Sequence, residues 1–224
     1  MHRIPYLFLL AFCSINMLCS CSQENRLPFA ADITGFEQAD KASFPPANAI
    51  VFVGSSSFTM WKDVADYFPG YTIINRGFGG STLNDVIRYT DKIIVPYKPK
   101  QIVIYCGDND IAAGSGSVTS ADVLERFVQL FTIIRKDLPS AAIAFVAIKP
   151  SPSREKYLPI VIDANNKIKD FLSRQDHSAF IDVYYPMLDA GGKPRKELFL
   201  EDMLHMKPAG YVIWQKEIQP FLLK

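Results

Sequence analysis

The sequence predicts an α/β fold, a parallel sheet with helices on both faces joined by right-handed crossovers. Three observations predict it. Five short apolar runs alternate with segments of helical period. The runs are apolar throughout instead of alternating, as strands covered on both faces are. Each of the first three ends in a glycine followed by small polar residues, and the loops leaving the carboxyl ends of such strands are where ligands bind in open α/β sheets. A chain of 224 residues is long enough for one domain with a full core, and no internal repeat or second core is visible.

The elements follow in order. Ala49 to Val53 reads as the first strand, stopped by Gly54 and followed by Ser55, Ser56 and Ser57. Taken alone, that stretch suits a turn with a serine capping the next helix. Phe58 to Phe68 carries Trp61, Val64, Ala65 and Phe68 at spacings of three and four, which predicts a short amphipathic helix with Trp61 in the core. Tyr71 to Asn75 is the second strand; it runs into Arg76-Gly77-Phe78-Gly79-Gly80, a backbone that must turn tightly or be approached closely. A helix is expected from Leu83 to about Val95, with the Asp85 carboxylate favouring its amino end. The third strand, Gln101 to Tyr105, ends in Cys106-Gly107-Asp108-Asn109-Asp110, and a Gly/Ser loop over Ala112 to Ser117 leads to a helix from about Ala121 to Leu138. A fourth strand, Ala142 to Ile148, breaks at Lys149-Pro150. A helix over Leu158 to Ser173 and a fifth strand, Ala179 to Val183, follow. From Tyr184 to Met206 no period is visible, and so long an aperiodic segment in a compact domain is usually functional. The chain closes on a helix from Pro208 to about Phe221.

The first residues read differently. A basic tip at His2 and Arg3, then an apolar run from Ile4 to Leu18, suits a secretory signal and is short for a membrane span. Leu18-Cys19-Ser20-Cys21 resembles a bacterial lipobox, which makes Cys21 the lipid-accepting residue; ordinary signal cleavage beside Cys21 is the competing reading. The expected organisation is a lipoprotein signal over 1–20, a tether over 21–46 and the folded domain over 47–224. Within the tether, Pro28, Pro45 and Pro46 and the lack of a sustained period suit a linker, with Ile33 to Phe36 available to pack on the domain. Export across the inner membrane, with the protein anchored in the bacterial envelope at its outer membrane, is the corresponding location. Cys106 is then the one thiol of the folded part, excluding an intrachain disulfide, and its apolar strand argues for packing. The full chain has 24 Lys+Arg against 23 Asp+Glu, and loss of residues 1–20 removes only Arg3; with no basic run, nothing points to nucleic acid.

Ester hydrolysis by a serine needs a nucleophile, a base, a group that orients the base, and donors for the oxyanion. Of three histidines, His2 leaves with the signal and His177 sits in a polar turn beside Asp176, so His205 is the candidate base. Asp202, three residues earlier, can be turned onto its Nδ1, although that spacing is common and means little by itself.

The combination is specific. Gly54-Ser55-Ser56-Ser57, Gly79-Gly80, Gly107-Asp108-Asn109-Asp110 and the Asp202/His205 pair resemble, in order, the four blocks of the SGNH (GDSL-type) hydrolases. The resemblance extends through Trp61, the run Asp108 to Gly114 and Lys149-Pro150-Ser151-Pro152-Ser153-Arg154. It covers residues 48–221 and is to the bacterial GDSL-like lipase/acylhydrolase branch. It implies a three-layer αβα sandwich on a flavodoxin-like five-stranded parallel sheet of order 2-1-3-4-5, in which the loops after strands two, one and three meet. It also implies Ser56 as nucleophile, with Asp202 and His205 completing a triad, and an oxyanion hole from the Ser56 N–H, the Gly80 N–H and the Asn109 side-chain amide. One such donor is worth ~3 kcal/mol to the transition state. Ser55 departs from the family's commonest block, which has aspartate there.

The expected activity is that of a serine esterase acting on short acyl esters, acetyl groups on carbohydrate included, with no cofactor and no metal. Acyl transfer to a sugar hydroxyl is the alternative within enzymes; a non-catalytic carbohydrate-binding module is the alternative outside them. The expected partners are a small-molecule or glycan ester and, through Cys21, the membrane. Asp108 and Asp110 form at best a weak metal site, and Asp108 is expected to hold its loop by accepting backbone N–H groups. Lys149 and Arg154 are expected either to meet an acidic substrate or to order their own loop. Phe78 and Ile111 are expected to line the acyl pocket or to pack beneath it.

Overall fold

The computed structural model describes residues 27–113 and 117–224. The signal segment, Cys21 and the centre of the Gly/Ser loop lie outside these residues. Five parallel strands, β1 (Ile50–Gly54), β2 (Ile73–Gly77), β3 (Gln101–Tyr105), β4 (Ala142–Val146) and β5 (Ser178–Ile181), form one sheet of order β2-β1-β3-β4-β5. This is the predicted order. The sheet register pairs Phe52 with Val103 and Gly54 with Tyr105, so these side chains share a face; Val53 pairs with Ile104 and Ile104 with Phe145 on the other.

Each face is covered by its own helices. On the Phe52 side, α2 (Ser56–Thr59), α3 (Val64–Tyr67) and α9 (Pro208–Ile218) bring an aromatic layer over the sheet. Phe52 meets Phe58, Trp61 and Phe68, while Tyr105 meets Phe58 and Trp214, with ring centroids 4.8–6.4 Å apart. On the Phe145 side lie α4 (Leu83–Arg88), α7 (Ser120–Asp137) and α8 (Leu158–Leu172), with Phe127 of α7 4.8 Å from Phe145. Both α4 and α7 begin at capping boxes, Thr82/Asp85 and Thr119/Asp122.

Several predicted elements are redrawn by tertiary contacts. The helix expected over Phe58–Phe68 is two single turns, α2 and α3. The Asn75 side-chain amide donates to the carbonyls of Phe58 and Trp61 at 2.7 and 3.2 Å, taking acceptors a continuous helix would use. The helix expected over Leu83–Val95 breaks at Tyr89 into α4 and α5 (Thr90–Ile93), and the Tyr89 hydroxyl donates to Pro28 O at 2.6 Å. β4 stops at Val146, because the Asn165 side chain replaces a strand partner, bonding Ile148 N–H and C=O at 2.8 and 2.9 Å. The aperiodic stretch after β5 is held by isolated bridges, Leu188 with Pro194 and Phe199 with Met206.

The tether expected over 21–46 needs the largest correction. Within it, α1 (Ala30–Ala42) is a docked helix; Ile33 is buried in the core and Phe36 packs against it, as the Ile33–Phe36 stretch was expected to allow. Asp40 pairs with Arg76 and accepts from the Tyr97 hydroxyl, while Glu37 pairs with Lys92 at 3.3 Å. β2 correspondingly runs two residues beyond the expected strand, to include Arg76. No period marks residues 30–42 because little of this helix is buried, Ile33 being its one buried residue.

Candidate active site

The carboxyl edge of the sheet gathers the loops that carry Ser56, Gly80, Asn109, Asp202 and His205. β1 ends at Gly54, with φ 137°; a Cβ there would sit 1.8 Å from Tyr105 O, so only glycine fits beside β3. The chain then enters α2 at once. Ser55 and Ser57 are buried, at 0 % and 1 % exposure, whereas Ser56, the first residue of α2, is partly exposed. Among the three hydroxyls the fold thus presents Ser56 to solvent.

After β2, Phe78 N–H donates to Gly54 O at 2.9 Å, laying the second block against the first. Gly79 and Gly80 are exposed, and Gly80 holds a left-handed φ of 84° that glycine adopts freely. After β3 comes α6 (Asp108–Ala113), a helical turn where a loop was expected. It begins directly at the third block and sets Asn109 against the second, with Nδ2 donating to Ser81 O at 3.0 Å.

His205 and Asp202 form a tight turn before α9, closed by Leu200 N–H donating to His205 O at 2.8 Å. Imidazole Nδ1 lies 2.6 Å from Asp202 Oδ2, while the N–H groups of Leu204 and His205 each donate to Oδ1 at 2.9 Å. Desolvation raises the Asp202 carboxyl, but the His205 N–H, the imidazole and the Leu204 N–H together outweigh it and hold the carboxyl at about 2. A carboxylate held this way fixes the imidazole tautomer with Nε2 available.

A closed ring of hydrogen bonds links these loops. Ser55 Oγ bonds Asp108 Oδ1 at 3.5 Å, joining the first and third blocks. Asn109 joins the third to the second. Arg154 Nη2 donates to Asn109 Oδ1 at 2.8 Å, and its neighbour Ser153 donates through both N–H and Oγ to Met203 O at 3.0 Å, inside the Asp202–His205 turn. Tyr211 of α9 returns to the start, its hydroxyl donating to Ser57 O at 2.9 Å. The ring brings the Ser56 and His205 loops together, but Ser56 Oγ and His205 Nε2 are not themselves hydrogen-bonded; such bonds commonly tighten only when substrate is present.

Beneath the ring lies a charge cluster. Asp108, 4 % exposed, faces Lys149 Nζ at 3.5 Å and Arg154 Nη1 at 3.0 Å, the latter too poorly aligned to count as a hydrogen bond. Tyr105 stands between, accepting from Lys149 at 3.0 Å and donating to Asp108 at 3.2 Å. Burial pushes the Asp108 carboxyl up, but the Lys149 and Arg154 charges outweigh it and its pKa lies below the ordinary value. Burial likewise lowers Lys149, against the opposing pull of Asp108.

One expectation is corrected here and others are decided between their alternatives. Asp108 bonds side chains, and the role expected of it belongs to Asp110, which accepts Leu83 N–H at 2.9 Å and pairs with Arg126 at 2.8 Å. Both carboxylates are thus engaged by cations. Lys149 is fully buried and orders the site from below, out of reach of substrate. Phe78 and Ile111 are buried and pack beneath the surface. Cys106 is buried, its thiol pushed well up by desolvation, and serves as packing. His177 precedes β5, its carbonyl accepting Ile143 N–H at 2.9 Å, which places it at the amino edge, away from the other residues. Sequence reasoning missed the Asp108–Arg154–Asn109 linkage; the Pro-rich Lys149–Arg154 run was its one trace.

A profile of the GDSL-like lipase/acylhydrolase family matches residues 51–213. The chain belongs to this family. No curated protein matches it in sequence. Among solved structures it is similar to a candidate platelet activating factor from Streptococcus pneumoniae, at 22 % identity, covering 94 % of this chain and 99 % of that one with a TM-score of 0.75. A GDSL-like lipase from Bacteroides thetaiotaomicron matches at 19 % identity over 85 % and 97 %, TM-score 0.73. An acetyl-xylooligosaccharide esterase from Geobacillus stearothermophilus matches at 13 % over 80 % and 96 %, TM-score 0.62. These likenesses establish the SGNH hydrolase fold, and family membership assigns the chain to the ester hydrolases at that level.

Proposed function

We propose that the protein is a serine esterase that removes short acyl groups, acetyl on carbohydrate among them, through an acyl-Ser56 intermediate. The observation that carries this reading is that Ser56 is the accessible hydroxyl of its block, on a loop bonded into one ring with Asn109 and the Asp202–His205 turn. Ser56 Oγ attacks the ester carbonyl as His205 Nε2 takes its proton. The oxyanion is met by the N–H groups of Ser56 and Gly80 and by Asn109 Nδ2. His205 then protonates the departing alcohol. Water, deprotonated by the same imidazole, attacks the acyl-enzyme and releases the acid. Asp202, ionised down to about pH 2, holds the imidazole throughout.

The exposed Gly79–Gly80 turn suits small acyl groups on an extended alcohol such as a glycan, and the similarity to an acetyl-xylooligosaccharide esterase supports the same class. We further propose that the protein is exported, with Cys21 acylated and the domain held in the bacterial envelope by its lipid. The mature protein should hydrolyse 4-nitrophenyl acetate and be labelled by a fluorophosphonate at Ser56. Absence of labelling, with activity unchanged in Ser56→Ala, overturns the mechanism. Cys21→Ser should release the protein from membranes, and continued tight attachment overturns the anchor.

A further inference from the structure

The Asn109 carboxamide serves an oxyanion only in one of its two orientations, with Nδ2 towards the reacting centre. An amide alone has little preference between them, so its partners decide. Here both ends are held. Arg154 has only donors and lies 2.8 Å from Oδ1; Ser81 O can only accept and lies 3.0 Å from Nδ2. A flipped amide would set N–H against N–H at one end and oxygen against oxygen at the other. Nδ2 carries two hydrogens, so one serves Ser81 and the second remains for a ligand.

Arg154 is in turn held by Asp108, which is buried and also faces Lys149. Asp108 Oδ1 meets Ser55 Oγ at 3.5 Å. An aspartate at position 55 would bring a second carboxylate against the first in a buried place, where like charges are costly. A neutral residue at 55 and a carboxylate at 108 are therefore two halves of one arrangement.

We propose that Arg154 is a positioning residue that fixes the Asn109 amide for the oxyanion, anchored by Asp108 and dependent on the neutral Ser55. This rests on the esterase reading above.

The test is steady-state hydrolysis of 4-nitrophenyl acetate by the mature protein, with melting temperature measured alongside. Arg154→Ala should lower kcat ~100-fold, as loss of one oxyanion donor does, with KM changed less than about threefold. Combined with Asn109→Ala, it should add almost nothing to the loss from Asn109→Ala alone, because it acts only through that amide. Arg154→Lys keeps a positive charge beside Asp108 without the planar fork, so it should keep the melting temperature and still lose kcat; it is read instead if Arg154→Ala fails to fold. Ser55→Asp should lower kcat at least about tenfold. Losses that add in the double variant, or an Arg154→Lys enzyme of wild-type kcat, overturn this inference and leave the esterase reading intact. A wild-type protein with neither turnover nor fluorophosphonate labelling overturns both.

Discussion

The charged cluster at the candidate site and the one at the flank differ in what surrounds them. Asp108, Lys149 and Arg154 lie under the carboxyl edge, the first two almost wholly buried, each tied to a loop leaving a strand. Asp40 and Arg76 pair at the flank, with Arg76 lying over the rings of Phe36 and Tyr97, and tie α1 to β2. Removing a partner from the first leaves a buried charge with no water to answer it. Removing one from the second frees a helix that lies outside the residues matched by the family profile. The first cluster is therefore part of the domain's integrity, while the second is a latch on it.

The largest effect should separate them. Asp108→Ala is expected to cost ~3–5 kcal/mol in urea unfolding, since Lys149 and Arg154 lose their counter-charge. Because the folded Asp108 pKa is depressed, its contribution is present above the ordinary carboxylate range and is lost as pH falls through the folded value. Asp108→Asn should accordingly flatten the acid side of the stability curve, and an unchanged curve would break the comparison.

Asp40→Ala should cost ~2 kcal/mol, the scale of a charged hydrogen bond, and the loss should be local. Hydrogen exchange should rise over 30–42 while β1 and β3 stay protected; an equal rise throughout would make α1 integral to the core. Phe29→Ala, which removes a ring 5.3 Å from Phe78 and 3.9 Å from where a Cβ on Gly80 would lie, should cost ~1 kcal/mol, measured in the same way.

Smaller still is the contribution of Asp202. Its depressed pKa makes its stabilisation present above the unfolded value and lost as pH falls through about 2, but its side chain is 47 % exposed and solvent screens the pair. Asp202→Asn should therefore reduce turnover far more than it moves the melting temperature. At the far end, Asp170→Ala on α8 breaks a pair with Arg174 whose side chains are 67 % and 64 % exposed, and should change stability by less than ~0.5 kcal/mol.

Much of the fold and most of the candidate site were legible in the sequence. The apolar runs at 50–54, 101–105 and 142–146 read as strands because both their faces are buried, and Gly54 and Gly107 mark the ends of the first two because a close approach at positive φ demands glycine there. Trp61 was correctly read as core. The failures share a cause. The helix at 30–42, the breaks at Tyr89 and after Thr59, and the partners of Asp108 all depend on contacts between residues far apart in the chain, such as Tyr89 with Pro28, 61 positions away, or Ser55 with Asp108, 53 away.

By itself, then, the sequence determined the sheet, its order through the family resemblance, and which residue types stand at each loop, because local period and backbone freedom leave marks in local sequence. Only the tertiary structure decided that Ser56 is the accessible one of three serines, that Asp108 faces two cations across from Ser55, and that Arg154 holds Asn109. Burial and the pairing of buried charge are set by what the rest of the chain brings to that spot.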